Sequence, residues 1–334
     1  MSTISDSILA RIDFSSIFSQ LRKAGAKKIG IQLPDGLKFY AAEITEIFEK
    51  EGFEVIISGK GSYGACDIDE ELLNHCDYLL HFAHTPILKI EKVLYIPYQV
   101  DYSLEPFHEI EIPEKSVALI ATAQYAWKLQ EVKAVLEKRG YEVELRVGKE
   151  LKYPGEVLGC NYTALQNVKA DAVLFVGDGL FHPIGAAIYT GKKVYRLSPL
   201  SNEFEEVSVE KFMRKRMAAI TRAMDGRKCG IIVSTKLGQK RDKLALELKK
   251  KGRKKGLNCF IILTDEISAE KLYNFRADFL VNTACPRISY DDSEAFHVPV
   301  LTPQEFQIVL GERNFEDYAM DEIFRFRSPS PPTP

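Results

Sequence analysis

The chain has six cysteines in 334 residues, yet no two of them are spaced as a C-x2-C pair. That absence removes the usual frame of a structural zinc site, which draws its ligands from close pairs. Charge imbalance is also missing: 45 Lys and Arg stand against 47 Asp and Glu, so the overall electrostatic footprint of a nucleic-acid binder is not there. No apolar run approaches the roughly 18 residues needed to span a bilayer. The opening residues, MSTISDSILARIDFSSIF, lack both a basic start and a long apolar stretch, which excludes a signal peptide. The expectation is a soluble, intracellular, cytoplasmic protein with no membrane and no nucleic-acid partner. In that setting six cysteines do not read as a disulfide framework, and metal binding or catalysis is the better assignment.

What is present is ample core material, with 46% hydrophobic residues, enough for two or three domains. One basic run, Lys249-Lys250-Lys251-Gly252-Arg253-Lys254-Lys255, suits the solvated end of a helix, where cations meet the negative pole of the dipole. A docking patch for an acidic partner is the other reading. The closing SPSPPTP (328–334) has no means to build a core and is expected to be disordered.

A pattern of strand, helix and strand occurs three times. The first copy runs through Lys28-Ile29-Gly30-Ile31-Gln32-Leu33, a turn at Pro34-Asp35-Gly36, a helix with Ile44, Ile47 and Phe48 on one face, and Phe53–Ser58. DYLLHFAH (77–84) and VLYIPY (93–98) complete it. The second uses Val117–Ala121, a helical stripe of Leu129, Val132, Val135 and Leu136, YEVELRV (141–147), DAVLFVGD (171–178) and VYRLSP (194–199). The third uses CGIIVST (229–235), a helix through Leu244 and Leu248, CFIILT (259–264), DFLVNTAC (278–285) and VPVLTP (298–303). Asp77, Asp171 and Asp278 open equivalent strands. Such an order demands parallel sheets with helices on their faces. The fold class expected is α/β, with three repeated parallel-sheet domains around a pseudo-threefold axis: residues 1–113 with an N-terminal helix, 114–212 and 213–327.

Each repeat carries one cysteine in a loop after a strand: Cys66 in GSYGACDID, Cys160 in EVLGCNYTA and Cys285 in NTACPRISY. Ligands of parallel α/β sheets bind beyond the carboxyl ends of the strands, so three such loops can converge. Taken singly, each could be an ordinary buried thiol, because cysteine packs as a small hydrophobe. Cys229 and Cys259 open strands and read as core, and Cys76 reads as buried at a helix end. Three thiolates select zinc, copper(I) or an iron–sulfur cluster. Zinc would need a fourth ligand such as His75, His81, His84 or His182, with no supporting spacing. A [4Fe–4S] cluster normally takes four cysteines, so three would leave one iron open to a substrate or cofactor. The compact three-cysteine motif of ordinary radical S-adenosylmethionine enzymes is absent.

IQLPDGL (31–37), GSYGACDID (61–69), EVLGC (156–160), FVGDGLFHPIGAAI (175–188), KLGQ (236–239) and NTACPRISYDD (282–292) resemble the archaeal diphthamide-synthesis enzymes, the 2-(3-amino-3-carboxypropyl)histidine synthases. The resemblance covers roughly residues 15–310, in order. Eukaryotic members often carry a second cysteine after the first ligand, and here Asp67 stands there. The resemblance implies a homodimer holding a [4Fe–4S] cluster on Cys66, Cys160 and Cys285, with S-adenosylmethionine on the open iron. It further implies an external one-electron donor, a 3-amino-3-carboxypropyl radical, and translation elongation factor 2 as the protein substrate. Candidate S-adenosylmethionine contacts are Asp35, Gly177, Asp178, Gly179, His182, Gln239 and Arg287. The plainer readings are a tight turn for Gly177-Asp178-Gly179, a surface ion pair for Arg287 and an Asx-turn for Asp35. The alternatives for the whole chain are a dehydratase resembling quinolinate synthase, also built from three repeats around a [4Fe–4S] cluster, a non-catalytic partner subunit, and a zinc-stabilised binding module.

Overall fold

The computed structural model of the protein describes residue 9, residues 12–87 and residues 90–323; the tail 328–334 lies outside them. Among the described residues thirteen strands form three sheets. The first holds β1 (Lys28–Gln32), β2 (Glu54–Ile57), β3 (Tyr78–Phe82) and β4 (Val93–Ile96) in the order β2-β1-β3-β4. The second holds β5 (Ser116–Ala121), β6 (Glu142–Glu144), β7 (Ala172–Val176), β8 (Lys193–Leu197) and β9 (Phe204–Glu206), ordered β6-β5-β7-β8-β9. The third holds β10 (Lys228–Ser234), β11 (Asn258–Thr264), β12 (Phe279–Asn282) and β13 (Val300–Leu301), ordered β11-β10-β12-β13. Every pairing is parallel except β8 with β9. The first four strands of each sheet thus follow one order, as the threefold pattern requires.

The strands read as unbroken apolar runs because both faces of each sheet are covered. All five residues of β7 are buried, and apolar clusters lie on the two faces of the second sheet. The helices supply amphipathic stripes: Ile44 and Phe48 from Ala41–Lys50, Leu129, Val132 and Leu136 from Leu129–Lys138, and Ala245 and Leu248 from Asp242–Lys254. Lys251, Arg253 and Lys254 form the last turn of that third helix, mostly solvated, with Lys251 paired to Glu247 and Glu312.

The three opening aspartates mark one repeated joint. The N–H groups of Asp77, Asp171 and Asp278 donate to Lys28 O, Ser116 O and Lys228 O, at the start of the strand beside each. The carboxylates of Asp77 and Asp278 also accept from pairs of N–H groups, Lys27 with Lys28 and Arg227 with Lys228, at 2.8–2.9 Å. These bonds favour the charged form and hold both groups below the usual carboxylate range. Asp171 keeps only the backbone half of the arrangement.

Two elements differ from expectation. The strand expected over 141–147 is confined to Glu142–Glu144, because the chain turns outward and leaves Val147 61% exposed. A fifth strand, β9, runs antiparallel along the edge of the second sheet. Its FEE sequence gives no alternating signal, and it is tied down by Arg196, which binds Glu203 and Glu205 at 3.1 and 2.7 Å. Cys229 and Cys259 are fully buried and pair in register across β10 and β11. Cys76 is half-buried at the end of the 3-10 turn Leu72–His75, its thiol donating to Leu72 O at 3.2 Å.

Candidate metal centre

Each of the three loop cysteines is presented by a tight local turn. Asp67 N–H closes on Gly64 O at 2.9 Å around Cys66, and Gln32 at the end of β1 donates from Nε2 to Asp67 O at 2.8 Å. Cys160 sits in a two-residue turn, with Leu158 and Asn161 exchanging backbone bonds of 3.0 and 2.9 Å. Gly159 beside it is required by close approach, since a Cβ there would come within 2.0 Å of the Phe181 ring. Cys285 precedes the short helix Arg287–Tyr290, and Asn282 at the end of β12 binds Cys285 O through Nδ2 and Ala284 N–H through Oδ1.

The turns converge. Loss of solvent pushes all three thiols up, and the Cys160 thiol is raised further by those of Cys66 and Cys285 beside it. Cys285 reaches about 12, even with the Arg287 N–H and guanidinium pulling the other way. Thiols in this state are poor thiolates until a cation compensates the charge, and a metal provides that. Among the described residues no group of three or more His, Cys, Asp or Glu is placed to hold a single metal ion. The three thiols sense one another through charge, and soft sulfur donors of this kind suit zinc, copper(I) or an iron–sulfur cluster. Cys76, Cys229 and Cys259 are accounted for elsewhere in the fold.

The third unit closes the site. Gly238 N–H donates to Cys66 O at 3.0 Å, and its missing Cβ would lie 2.2 Å from that of Cys66. Gln239 donates from Nε2 to Cys66 Sγ and accepts from Cys285 N–H, both at 3.3 Å. The structure thus sets Gln239 between the Cys66 sulfur and the Cys285 backbone. Lys236 pairs with Asp67 at 2.6 Å and lies over the Tyr63 ring. Arg241 grips Thr283 O, Ala284 O and the Asp321 carboxylate. The chain then returns to the second unit, where Ile323 N–H donates to Cys160 O at 3.1 Å and Glu322 accepts from Tyr162 N–H at 3.2 Å.

A cavity of about 590 Å3 lies beside the Cys160 and Cys285 loops, with none of the three thiols in its lining. Asp178, Gly179, His182 and Arg287 line it, together with Tyr125 and Phe181. Phe181 packs on Gly159, next to Cys160, while Arg287 lies two residues beyond Cys285 and over the Phe181 ring. Asp178 accepts from the hydroxyls of Tyr125 and Ser198, and Gly177 below it takes φ +146°. Arg287 does form the ion pair foreseen, with Asp291 at 2.8 Å. His182 stacks on Phe175, and loss of solvent lowers it to about 4. Asp35 stands apart from this cavity, exposed and paired with Lys38 at 2.8 Å.

Behind the Cys66 loop lies a neutral histidine pair. Gln32 Oε1 can only accept, so His81 Nδ1 donates to it at 3.0 Å, and His81 Nε2 then accepts from His84 Nδ1 at 2.8 Å. Burial, with the neighbouring His84, lowers His81 from 6.5 to about 3, and burial lowers His84 to about 4. Below pH 6.5 the unfolded chain therefore takes up protons that the folded protein refuses. Stability is full above 6.5 and declines as pH falls, by up to about 1.4 kcal/mol per unit for each histidine. Urea unfolding between pH 7 and 5 should show that slope, and His81→Gln should reduce it by one histidine's share while His84 keeps its own.

Gln32, Arg241 and Asp321 were not legible as site residues. The one signal for Gln32 was a polar residue inside an apolar strand.

Fold and site together define a mostly parallel α/β protein of three sheet units that gathers three cysteine-bearing loops. A family model described as "Putative diphthamide synthesis protein" matches residues 33–319. The chain is 38% identical to 2-(3-amino-3-carboxypropyl)histidine synthase of Pyrococcus horikoshii, over 95% of this chain and 94% of that one. It is 32% identical to 2-(3-amino-3-carboxypropyl)histidine synthase subunit 1 of Aspergillus fumigatus, over 91% of this chain and 72% of that one. The crystal structure of Dph2 from Pyrococcus horikoshii with a 4Fe-4S cluster matches with a TM-score of 0.88 and 36% identity, covering 96% of each chain. The chain belongs to the diphthamide synthesis family.

Proposed function

We propose that the protein is a 2-(3-amino-3-carboxypropyl)histidine synthase, transferring the 3-amino-3-carboxypropyl group of S-adenosylmethionine to an imidazole carbon of one histidine of translation elongation factor 2. Cys66, Cys160 and Cys285 would hold a [4Fe–4S] cluster, which when bound supplies the electron that breaks the bond from sulfur to the aminocarboxypropyl Cγ. The observation that carries this reading is the convergence of three charge-coupled thiols from three sheet units, in a chain similar along its length to a protein solved with such a cluster.

The chain's own residues have definable tasks. Asp178, steadied by Tyr125 and Ser198, offers an acceptor to an amino or ribose group. Arg287 offers a donor fork to a carboxylate at the same wall. The cavity has the volume of an ordinary small-ligand site, and Phe181 and Tyr125 narrow it against water. Asp35, away from the cavity, is assigned to its turn and ion pair. The working form is taken as a cytoplasmic homodimer served by an external one-electron donor; among the described residues no helix is long and apolar enough to cross a membrane.

The test is anaerobic purification followed by reduction with S-adenosylmethionine and elongation factor 2. A brown, iron- and sulfide-containing protein that releases methylthioadenosine and alkylates the factor is expected. Iron without S-adenosylmethionine cleavage would point to a dehydratase, and a colourless zinc protein would overturn the reading altogether.

A further inference from the structure

Of all the side chains around the three thiols, Gln239 has the most exacting position. It is 4% exposed, at the end of KLGQ in the loop after β10. Its amide is used at both ends on cysteines: Nε2 donates to Cys66 Sγ, and Oε1 accepts from Cys285 N–H. Gly238 makes this placement possible by lying against the Cys66 backbone, where a Cβ would overlap Cys66 Cα at 2.4 Å. The neighbouring cation, Lys236, gives its hydrogen bond to Asp67, so Gln239 Nε2 is the side-chain donor seen on the sulfur.

A buried amide must satisfy its polar groups, and backbone carbonyls are the common partners for an N–H donor. Here the donor is aimed at a sulfur instead. A neutral thiol is a weak acceptor, whereas a thiolate makes the charge-assisted, stronger form of the same bond. The bond therefore gains most when Cys66 is a metal-bound thiolate. Hydrogen bonds to ligand sulfurs also help set the potential of an iron–sulfur cluster, because an N–H dipole stabilises the reduced, more negative state.

We infer that Gln239 is a positioning residue that fixes the Cys66 and Cys285 ligands relative to one another, and that its N–H to sulfur bond raises the reduction potential of the cluster they hold. The inference rests on the cluster reading above and adds to it a role in redox tuning. It also moves Gln239 from the S-adenosylmethionine contacts, where its sequence motif had put it, to the metal side of the site.

The test uses the full chain, reconstituted anaerobically with iron and sulfide, as wild type, Gln239→Glu and Gln239→Leu. Iron per chain, melting temperature and a redox titration followed by electron paramagnetic resonance are measured. Gln239→Glu keeps the size and the acceptor for Cys285 N–H but loses the donor. Gln239→Leu loses both without adding charge, which separates the missing donor from the carboxylate's own field. Both should show at least a tenfold lower ratio of reduced to oxidised cluster at a fixed potential, equal to a negative shift of about 59 mV for one electron. The Leu variant should also retain less iron. A variant that keeps the wild-type melting temperature but loses its iron supports the positioning role. Variants with wild-type iron and an unmoved or more positive potential overturn the inference and leave the cluster reading intact. A wild-type protein that takes up no iron overturns both.

Discussion

Cys160→Ser should fold as the wild type does and lose its iron–sulfur chemistry, with methylthioadenosine formation falling by more than the roughly 10–100-fold typical when a group that merely supports a metal ligand is removed. The reason lies in how the thiol is held. Its turn is closed by backbone bonds between Leu158 and Asn161 and by Ile323 N–H on Cys160 O, none of which uses the sulfur. The side chain is therefore free of structural duty and can be exchanged without loss of the fold. Cys229→Ser gives the opposite result. That cysteine is fully buried against Cys259, so a hydroxyl there should cost about 1–3 kcal/mol of stability and leave iron content unchanged. Iron, labile sulfide and product are measured on both proteins beside a thermal melt. Full product formation by Cys160→Ser would sink the ligand assignment.

Arg216→Met should be the most destabilising single change in the third unit, by about 3–5 kcal/mol, because it strands a buried carboxylate. Arg216 and Glu305 are 3% and 0% exposed in their side chains and meet through Nε and Nη2 at 2.8 and 2.7 Å. The guanidinium also donates to Ser289 O and to Val300 O, and lies 5.5 Å from the centre of the Tyr290 ring. Burial alone would weaken the charge on Arg216, but Glu305 overrides it and raises the guanidinium above its ordinary value. Glu305 keeps Thr302 N–H and the Tyr318 hydroxyl, which reduces the loss without cancelling it. Denaturant unfolding of Arg216→Met, Glu305→Gln and the double variant should show strong non-additivity; simple addition would mean the two residues act independently. Ser289 and Tyr290 belong to the helix just after Cys285, so the same variant should retain iron poorly.

The sequence was most readable where structure is local. Strand, helix and loop followed one another in apolar runs and stripes, and the cysteines stood out because each followed a strand. The edge strand β9 escaped because three residues, FEE, carry no alternation. The site residues that escaped share a different cause: each acts across a long stretch of chain. Arg241 finds Asp321, and Gln32 finds Asp67 O. Such partners leave no periodic trace, and a glutamine in KLGQ looks the same whether it faces a ligand or a sulfur. Asp35 shows the converse, a conspicuous turn residue whose carboxylate goes to the nearby Lys38.

The return of the chain at residues 321–323 also bears on how the protein is made. Cys66 and Cys160 leave the ribosome long before Cys285, and the strap that binds Cys160 O and Arg241 follows later still. Domains fold from the N-terminus as they emerge, so the first two units can be formed while the proposed metal centre still lacks its third cysteine. A cluster held as proposed would thus be loaded late in biogenesis, since a chain stalled before residue 285 offers only two of the three thiols.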